Sequence, residues 1–207
     1  MKVYVPGNEK RLLRFLSTKK EDARVVAGGT GLLPDIRGRR QSFSHLADIS
    51  HFSHLRYIRL SKDRVRIGAL TRIRDLDCNV LIKGGFNSFA EAARDFGGTA
   101  IANMATVGGN VATALPTSDL VPIFLSLDAD VQLQSFRGKR MVKLQDFLLG
   151  QGMTVRRPDE LITEVNFRIP RGRNVSSFRK IGGRNANYLA LVSLAVFLNF
   201  DRTITML

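Results

Sequence analysis

The chain has 207 residues, 44% of them hydrophobic, and a formal net charge of +14 from 32 basic and 18 acidic side chains. That length and composition suffice for one large domain or two small ones and exclude a disordered chain. No apolar run reaches the roughly 18–20 residues that a membrane helix requires, and Met1–Pro6 has no apolar leader core, so the sequence reads as cytoplasmic with no membrane span.

Cys78 is the single cysteine. It excludes an internal disulfide and fits a reducing compartment. An iron–sulfur cluster typically takes four cysteine ligands, which this chain does not supply. His45, His51 and His54 fall in one short segment that reads as a solvated loop, with no other ligand spacing nearby. The positive charge is spread in small clusters without a recognition helix, zinc finger or aromatic RNA-binding signature. It therefore reads as surface charge or a docking patch, and against nucleic acid as the partner.

In chain order, Asn8 is placed to cap an amphipathic helix over Glu9–Ser17, with Leu12, Leu13 and Leu16 on the inner face. Arg24–Ala27 reads as a strand running into the turn Gly28-Gly29-Thr30-Gly31. Ala47–Ile49 and Arg64–Gly68 read as further short strands. Phe89, Ala92, Ala93 and Phe96 form the stripe of a helix over Ser88–Phe96, closed by Gly97-Gly98. A second glycine turn follows at Thr106-Val107-Gly108-Gly109-Asn110, and Ser118-Asp119 then opens a helix toward Leu127. Val131–Gln134 and Met141-Val142 flank Arg137-Gly138-Lys139 as a hairpin. A strand beginning at Pro158 ends at Pro170, and Arg171–Asn174 is the candidate hinge before an apolar strand at Tyr188–Leu198.

Adjacent glycines permit positive φ and close approach of a ligand, and consecutive N–H groups in such a turn form an anion nest. Two such turns, each beside a threonine hydroxyl (Thr30, Thr106), suggest a ligand with a central diphosphate, for which a dinucleotide is the natural candidate. The first turn is not a Rossmann fingerprint, because Pro34 stands where the third glycine belongs and no obvious helix follows. Nor is it a P-loop, since no Lys-Ser/Thr pair follows.

The segments Ala27–Pro34, Asn103–Ala112 and Pro116–Leu120 resemble the FAD-binding (medium) subunit of molybdenum hydroxylases, the carbon monoxide and xanthine dehydrogenase family. Leu125–Ala129, Asp159–Glu164 and Phe178–Gly182 extend the resemblance in the same order. It implies an α+β fold, a vanillyl-alcohol-oxidase-type FAD domain of two α/β subdomains (1–55 and 56–170). The start of a shortened C-terminal domain (171–207) would follow.

The resemblance implies noncovalent FAD with its diphosphate lined by Val25, Val26, Ala27, Gly28, Gly29, Thr30, Gly31 and Leu32. Thr106, Val107, Gly108, Gly109 and Asn110 would line it from the other side. Asp119 would bond the ribose or adenine end, Leu161 or Ile162 would pack near the adenine, and Lys180 would approach the isoalloxazine, with Phe96 beside the flavin. Each has a plain alternative: a helix cap for Asp119, core packing for Phe96, Leu161 and Ile162, a solvated charge for Lys180. The family pattern has an aspartate where Gly31 stands and an arginine where Ala102 stands.

As partners the resemblance implies an iron–sulfur subunit and a molybdopterin subunit, with electrons leaving FAD for an external acceptor. No residue reads as a catalytic acid or base. The competing readings are a stand-alone flavoprotein of the same fold and a basic binder that has lost FAD.

Overall fold

A computed structural model describes residues 1–38, 43–183 and 189–200. The first unit is built on a parallel sheet of β1 (Lys2–Tyr4), β2 (Ala23–Val26) and β3 (His45–Asp48), in the order β1-β3-β2. Helix α1 (Glu9–Lys19) joins β1 to β2, and the Asn8 side-chain oxygen accepts the Arg11 N–H at 2.9 Å, as expected from its cap. Leu12, Leu13 and Leu16 are buried against Ala23 and Ala47. The helix extends two residues past Ser17, to Lys19, whose charge suits the carbonyl end of the dipole.

Two expectations fail here. A helix does follow the first glycine turn: α2 (Leu32–Arg37) begins at once. Pro34 lies in its first turn, where a missing N–H costs nothing, so it does not break the helix. His45 is a strand residue bonded to Asp22 at 3.0 Å, His51 Nε2 meets the Pro6 carbonyl oxygen at 2.9 Å and His54 meets Glu9 at 3.0 Å, so all three histidines are engaged rather than merely solvated.

The second unit is an antiparallel sheet of β4 (Ile58–Ser61), β5 (Arg64–Gly68), β6 (Asp130–Ser135), β7 (Gly138–Lys143) and β10 (Leu161–Arg168) in the order β4-β5-β10-β6-β7. Between β5 and β6 run the helices α3 (Ile73–Cys78), α4 (Val80–Lys83), α5 (Asn87–Arg94), α6 (Thr99–Met104), α7 (Val107–Thr113) and α8 (Leu120–Ser126). The segment α9 (Leu144–Phe147), β8 (Leu148–Gly150), β9 (Met153–Thr154) precedes β10. The hairpin expected around Arg137–Lys139 forms, with Gly138 supplying a φ of +140°.

Strand β10 starts at Leu161 rather than Pro158 because Arg157–Glu160 closes a turn. There the Glu160 carboxylate accepts the Arg157 N–H and two Arg140 N–H groups at 2.7–2.8 Å. The larger core lies between sheet and helices, where Phe89 meets Phe124 edge-on at 4.9 Å and stacks with Phe167 at 5.8 Å. Helix α5 stops at Arg94, short of Phe96. The left-handed residue that ends the path is Gly97, at φ +55°, two positions beyond the Asp95 cap.

The last described element is the hairpin β11 (Arg173–Ile181) and β12 (Val192–Phe200), paired antiparallel over nine residues. The expected hinge shrinks to Arg171-Gly172, because Arg173 and Asn174 already belong to β11. Tyr188, the expected start of the last strand, lies outside the described residues. Phe178 is buried in the larger core and Ala195 and Phe197 pack against it, whereas Val175, Leu194, Val196 and Leu198 on the opposite face are exposed.

Polar anchors from β11 fasten this hairpin to α5. Ser88 Oγ meets Ser176 Oγ at 3.0 Å, and the Glu91 carboxylate accepts the Phe178 N–H at 2.6 Å and the Ser177 hydroxyl at 3.0 Å. Burial disfavours the charge on Glu91, but these donors and Arg179 outweigh it and hold the carboxyl below its ordinary value. The resulting stabilisation is complete above the unfolded value and is lost as pH falls through the depressed native one. Glu91→Ala is therefore expected to cost about 1–3 kcal/mol at neutral pH. That deficit should narrow as the pH falls below about 4, as read by chemical denaturation across the acid range.

Candidate functional site

The two glycine segments meet. The first leaves the end of β2 as Ala27-Gly28-Gly29-Thr30-Gly31 and enters α2. Gly29 takes φ +71°, which only glycine adopts readily. Gly28 has a different reason to be glycine: a Cβ there would stand 1.9 Å from the Met104 carbonyl oxygen and 3.1 Å from the Ala105 nitrogen. A Cβ on Gly31 would touch the Thr113 methyl at 3.4 Å. The first loop thus lies directly on the backbone joining α6 to α7 and beside the end of α7, bringing together in space the residues the sequence places about 75 positions apart.

The two segments present their N–H groups differently. The N–H groups of Gly28, Gly29, Thr30, Gly31 and Leu32 have no acceptor among the described residues, and they leave an open row of donors at the mouth of α2. The second segment is not the expected turn or anion nest. Gly108 and Gly109 lie inside the first turn of α7, neither with positive φ, and their donors are spent. Val107 N–H reaches Thr71 O at 2.9 Å, Gly108 N–H reaches Ala69 O at 2.8 Å, and Gly109 N–H is capped by Thr106 Oγ1 at 3.1 Å. Gly108 is glycine for packing, since a Cβ would stand 2.6 Å from that of Ala69. Carbonyls of the connection between β5 and α3 and the Thr106 hydroxyl therefore claim the donors that a sequence reading assigns to a ligand.

Asn110 has its Oδ1 occupied by the Leu120 N–H at 3.1 Å, so Asn110, not Asp119, caps the first turn of α8. Asp119 occupies the cap position but makes no cap hydrogen bond. Its Oδ2 accepts from Lys180 Nζ at 2.7 Å, in a pair whose side chains are 6% and 1% exposed. The cap alternative for Asp119 and the solvated-charge alternative for Lys180 are both overturned. The expected placement of these two at opposite ends of a flavin also gives way, since they share one salt bridge.

Burial pushes the Asp119 carboxyl above its ordinary value, with Lys180 pulling the other way. The native state holds that proton more tightly than the unfolded chain, so this group costs stability as pH rises through the carboxylate range. Its second oxygen, Oδ1, is buried with no partner among the described residues.

The remaining expected residues are dispersed around the loops. Val26 is buried and Val25 half-buried in β2, and Ala27 packs on the smaller core. Leu161 and Ile162 are adjacent on β10 but face opposite cores, Leu161 the first unit and Ile162 the second. Phe96 is half-buried against the larger core beyond α5. The sequence reading missed Met104, Ala105 and Thr113, which form the wall under the first loop. They matter through backbone and methyl contact, which leaves no side-chain signature.

An open row of donors at a strand–helix junction, seated on a glycine-started helix of a second α+β unit, is an arrangement suited to an anionic group such as the diphosphate of a dinucleotide. Residues 1–171 match the family described as FAD binding domain in molybdopterin dehydrogenase, and the chain belongs to it, with FAD as the cofactor that defines the family. The chain is 32% identical over 180 residues to the nicotinate dehydrogenase FAD-subunit of Eubacterium barkeri, covering 86% of this chain and 61% of the relative. It is 34% identical over 185 residues to the glyceraldehyde dehydrogenase medium chain of Sulfolobus acidocaldarius, covering 89% and 65%. The chain thus spans less than two thirds of the length of these relatives. In structure it superposes on carbon monoxide dehydrogenase from Hydrogenophaga pseudoflava with a TM-score of 0.92 at 27% identity, covering 98% of this chain and 70% of that one. Among the described residues no helix is long and apolar enough to cross a membrane.

Proposed function

We propose that this chain holds the flavin of a molybdenum-hydroxylase-type dehydrogenase, receiving electrons from iron–sulfur clusters on one partner subunit and passing them to an external acceptor. A molybdopterin subunit would complete the assembly. The observation that carries the reading is the seating of the first glycine loop on the Met104–Ala105 backbone, with five consecutive N–H groups left open. Two features fit FAD: a backbone surface that a Cβ at Gly28 would close, and a buried acceptor, Asp119 Oδ1, awaiting a donor. When bound, FAD supplies the electron-storing chemistry, and the protein supplies position and electrostatics.

The protein residues have distinct tasks. The N–H groups of Gly28 to Leu32 would donate to the oxygens of a diphosphate, aided by the positive end of α2 and the Thr30 hydroxyl. Thr106 fixes the start of α7, so the wall under the loop keeps its shape. Leu161 or Ile162, which face opposite cores, is the residue proposed near the adenine, and Phe96 the one beside the flavin. No histidine neighbours either glycine segment, so the cofactor is held noncovalently. With Cys78 the single cysteine, the clusters that deliver electrons belong to a partner.

The test is the absorbance of the purified chain before and after incubation with FAD and desalting. Flavin bands that survive desalting, bleach with dithionite and vanish in Gly109→Asp are expected. A colourless protein that no added FAD restores would overturn the reading.

A further inference from the structure

Beside the apolar packing of Phe178, Ala195 and Phe197, three sets of polar contacts among the described residues join the β11–β12 hairpin to the helices, and one of them is incomplete. The Ser176 and Glu91 anchors are fully paired on α5. The third, Lys180 on β11 to Asp119 before α8, buries both charges yet leaves Asp119 Oδ1 with no donor. A buried carboxylate oxygen without a partner is a standing penalty that any approaching hydroxyl or N–H donor relieves. A donor arriving there also strengthens the hold of the same carboxylate on Lys180, because it lowers the cost of keeping the charge dry.

We propose that Asp119 couples cofactor occupancy to the seating of the β11–β12 hairpin: a donor on the bound dinucleotide completes the carboxylate, and the completed carboxylate clamps Lys180 and with it the hairpin. This rests on the flavin reading given above. Asp119 and Lys180 are positioning residues here, and the coupling is reciprocal: bound FAD favours the seated hairpin by the same factor by which seating tightens FAD, so unseating the hairpin weakens FAD. The geometry favours this over a plain structural bridge. A bridge evolved only to pin the hairpin would have both oxygens paired, as Glu160 has with Arg140 and the Arg157 N–H. The hairpin also exposes an apolar outer face of Val175, Leu194, Val196 and Leu198. Its seating therefore sets the position of a large apolar surface, and the clamp transmits occupancy to it.

The experiment is hydrogen exchange by mass spectrometry on the whole chain, with and without FAD, and with ADP or FMN to show which half supplies the donor. FAD is expected to slow exchange several-fold across 176–181 and 192–196 in the wild type. Asp119→Asn keeps the shape of the side chain, but turned to pair with Lys180 it presents an amide donor at the orphan position, and its hairpin should become indifferent to FAD. Glu91→Gln touches the hairpin and none of the residues proposed to line the flavin. It should speed hairpin exchange and weaken FAD several-fold. FAD that binds the wild type without changing hairpin exchange would overturn the coupling while leaving the flavin reading intact, as would Glu91→Gln with a looser hairpin and unaltered FAD affinity. A chain that takes up no FAD at all would remove both.

Discussion

Gly28→Ala is expected to abolish FAD retention, with a loss in affinity of at least about 100-fold, or roughly 2.7 kcal/mol. The added methyl would stand 1.9 Å from the Met104 carbonyl oxygen, and that oxygen is backbone, so no side chain can swing aside. The loop must lift by more than an ångström, which moves the five open donors away from the wall of the site. Overpacking of this kind also costs stability, about 1–3 kcal/mol. Backbone strain is not the cause, because Gly28 does not occupy the left-handed region, whereas Gly29 at φ +71° does. Titration of FAD by fluorescence quenching, with a thermal melt alongside, separates the two effects. Affinity within two-fold of wild type would mean that the close approach of the loops has nothing to do with the cofactor.

Lys180→Met is expected to destabilise the fold by about 3–5 kcal/mol at neutral pH, because it strands a buried carboxylate. Burial already holds Asp119 above its ordinary value, and without the ammonium that value rises further. The deficit should therefore shrink as pH falls and Asp119 takes up a proton in the native state. Replacing both partners, Asp119→Leu with Lys180→Met, removes the charge along with its penalty and should restore most of the lost stability. FAD retention should not return with it, since the acceptor is gone. Denaturant unfolding of wild type, single and double variants at two pH values tests this, and a Lys180→Met chain as stable as wild type would contradict it.

Much of the first unit was legible in the sequence because its signals are local. Asn8, the Leu12/Leu13/Leu16 stripe and the apolar run before Gly28 each act within a few residues, and they gave α1 and β2 to within two positions. The β6–β7 hairpin was equally local, with Gly138 at its turn. Pro34 misled for a local reason too, since a proline in the first turn of a helix looks like a breaker until the start of the helix is known. The resemblance carried the family and the cofactor, because the two glycine segments are specific as strings of residues.

Which job each glycine does could not be read from the string, because two glycines in a row look alike whether they form a nest or start a helix. The sequence by itself determined the local elements, the two glycine segments and the absence of enough cysteines for a cluster. Only the tertiary structure decided that Gly28 and Gly29 leave their donors open, while Gly108 and Gly109 spend theirs on Ala69 and Thr106. It likewise paired Asp119 with Lys180, 61 positions apart, and left one oxygen over. The physical reason is the same in each case. A hydrogen-bonding group has a fixed valence, and whether it is free for a ligand depends on what the fold brings within about 3 Å of it, often from a distant part of the chain.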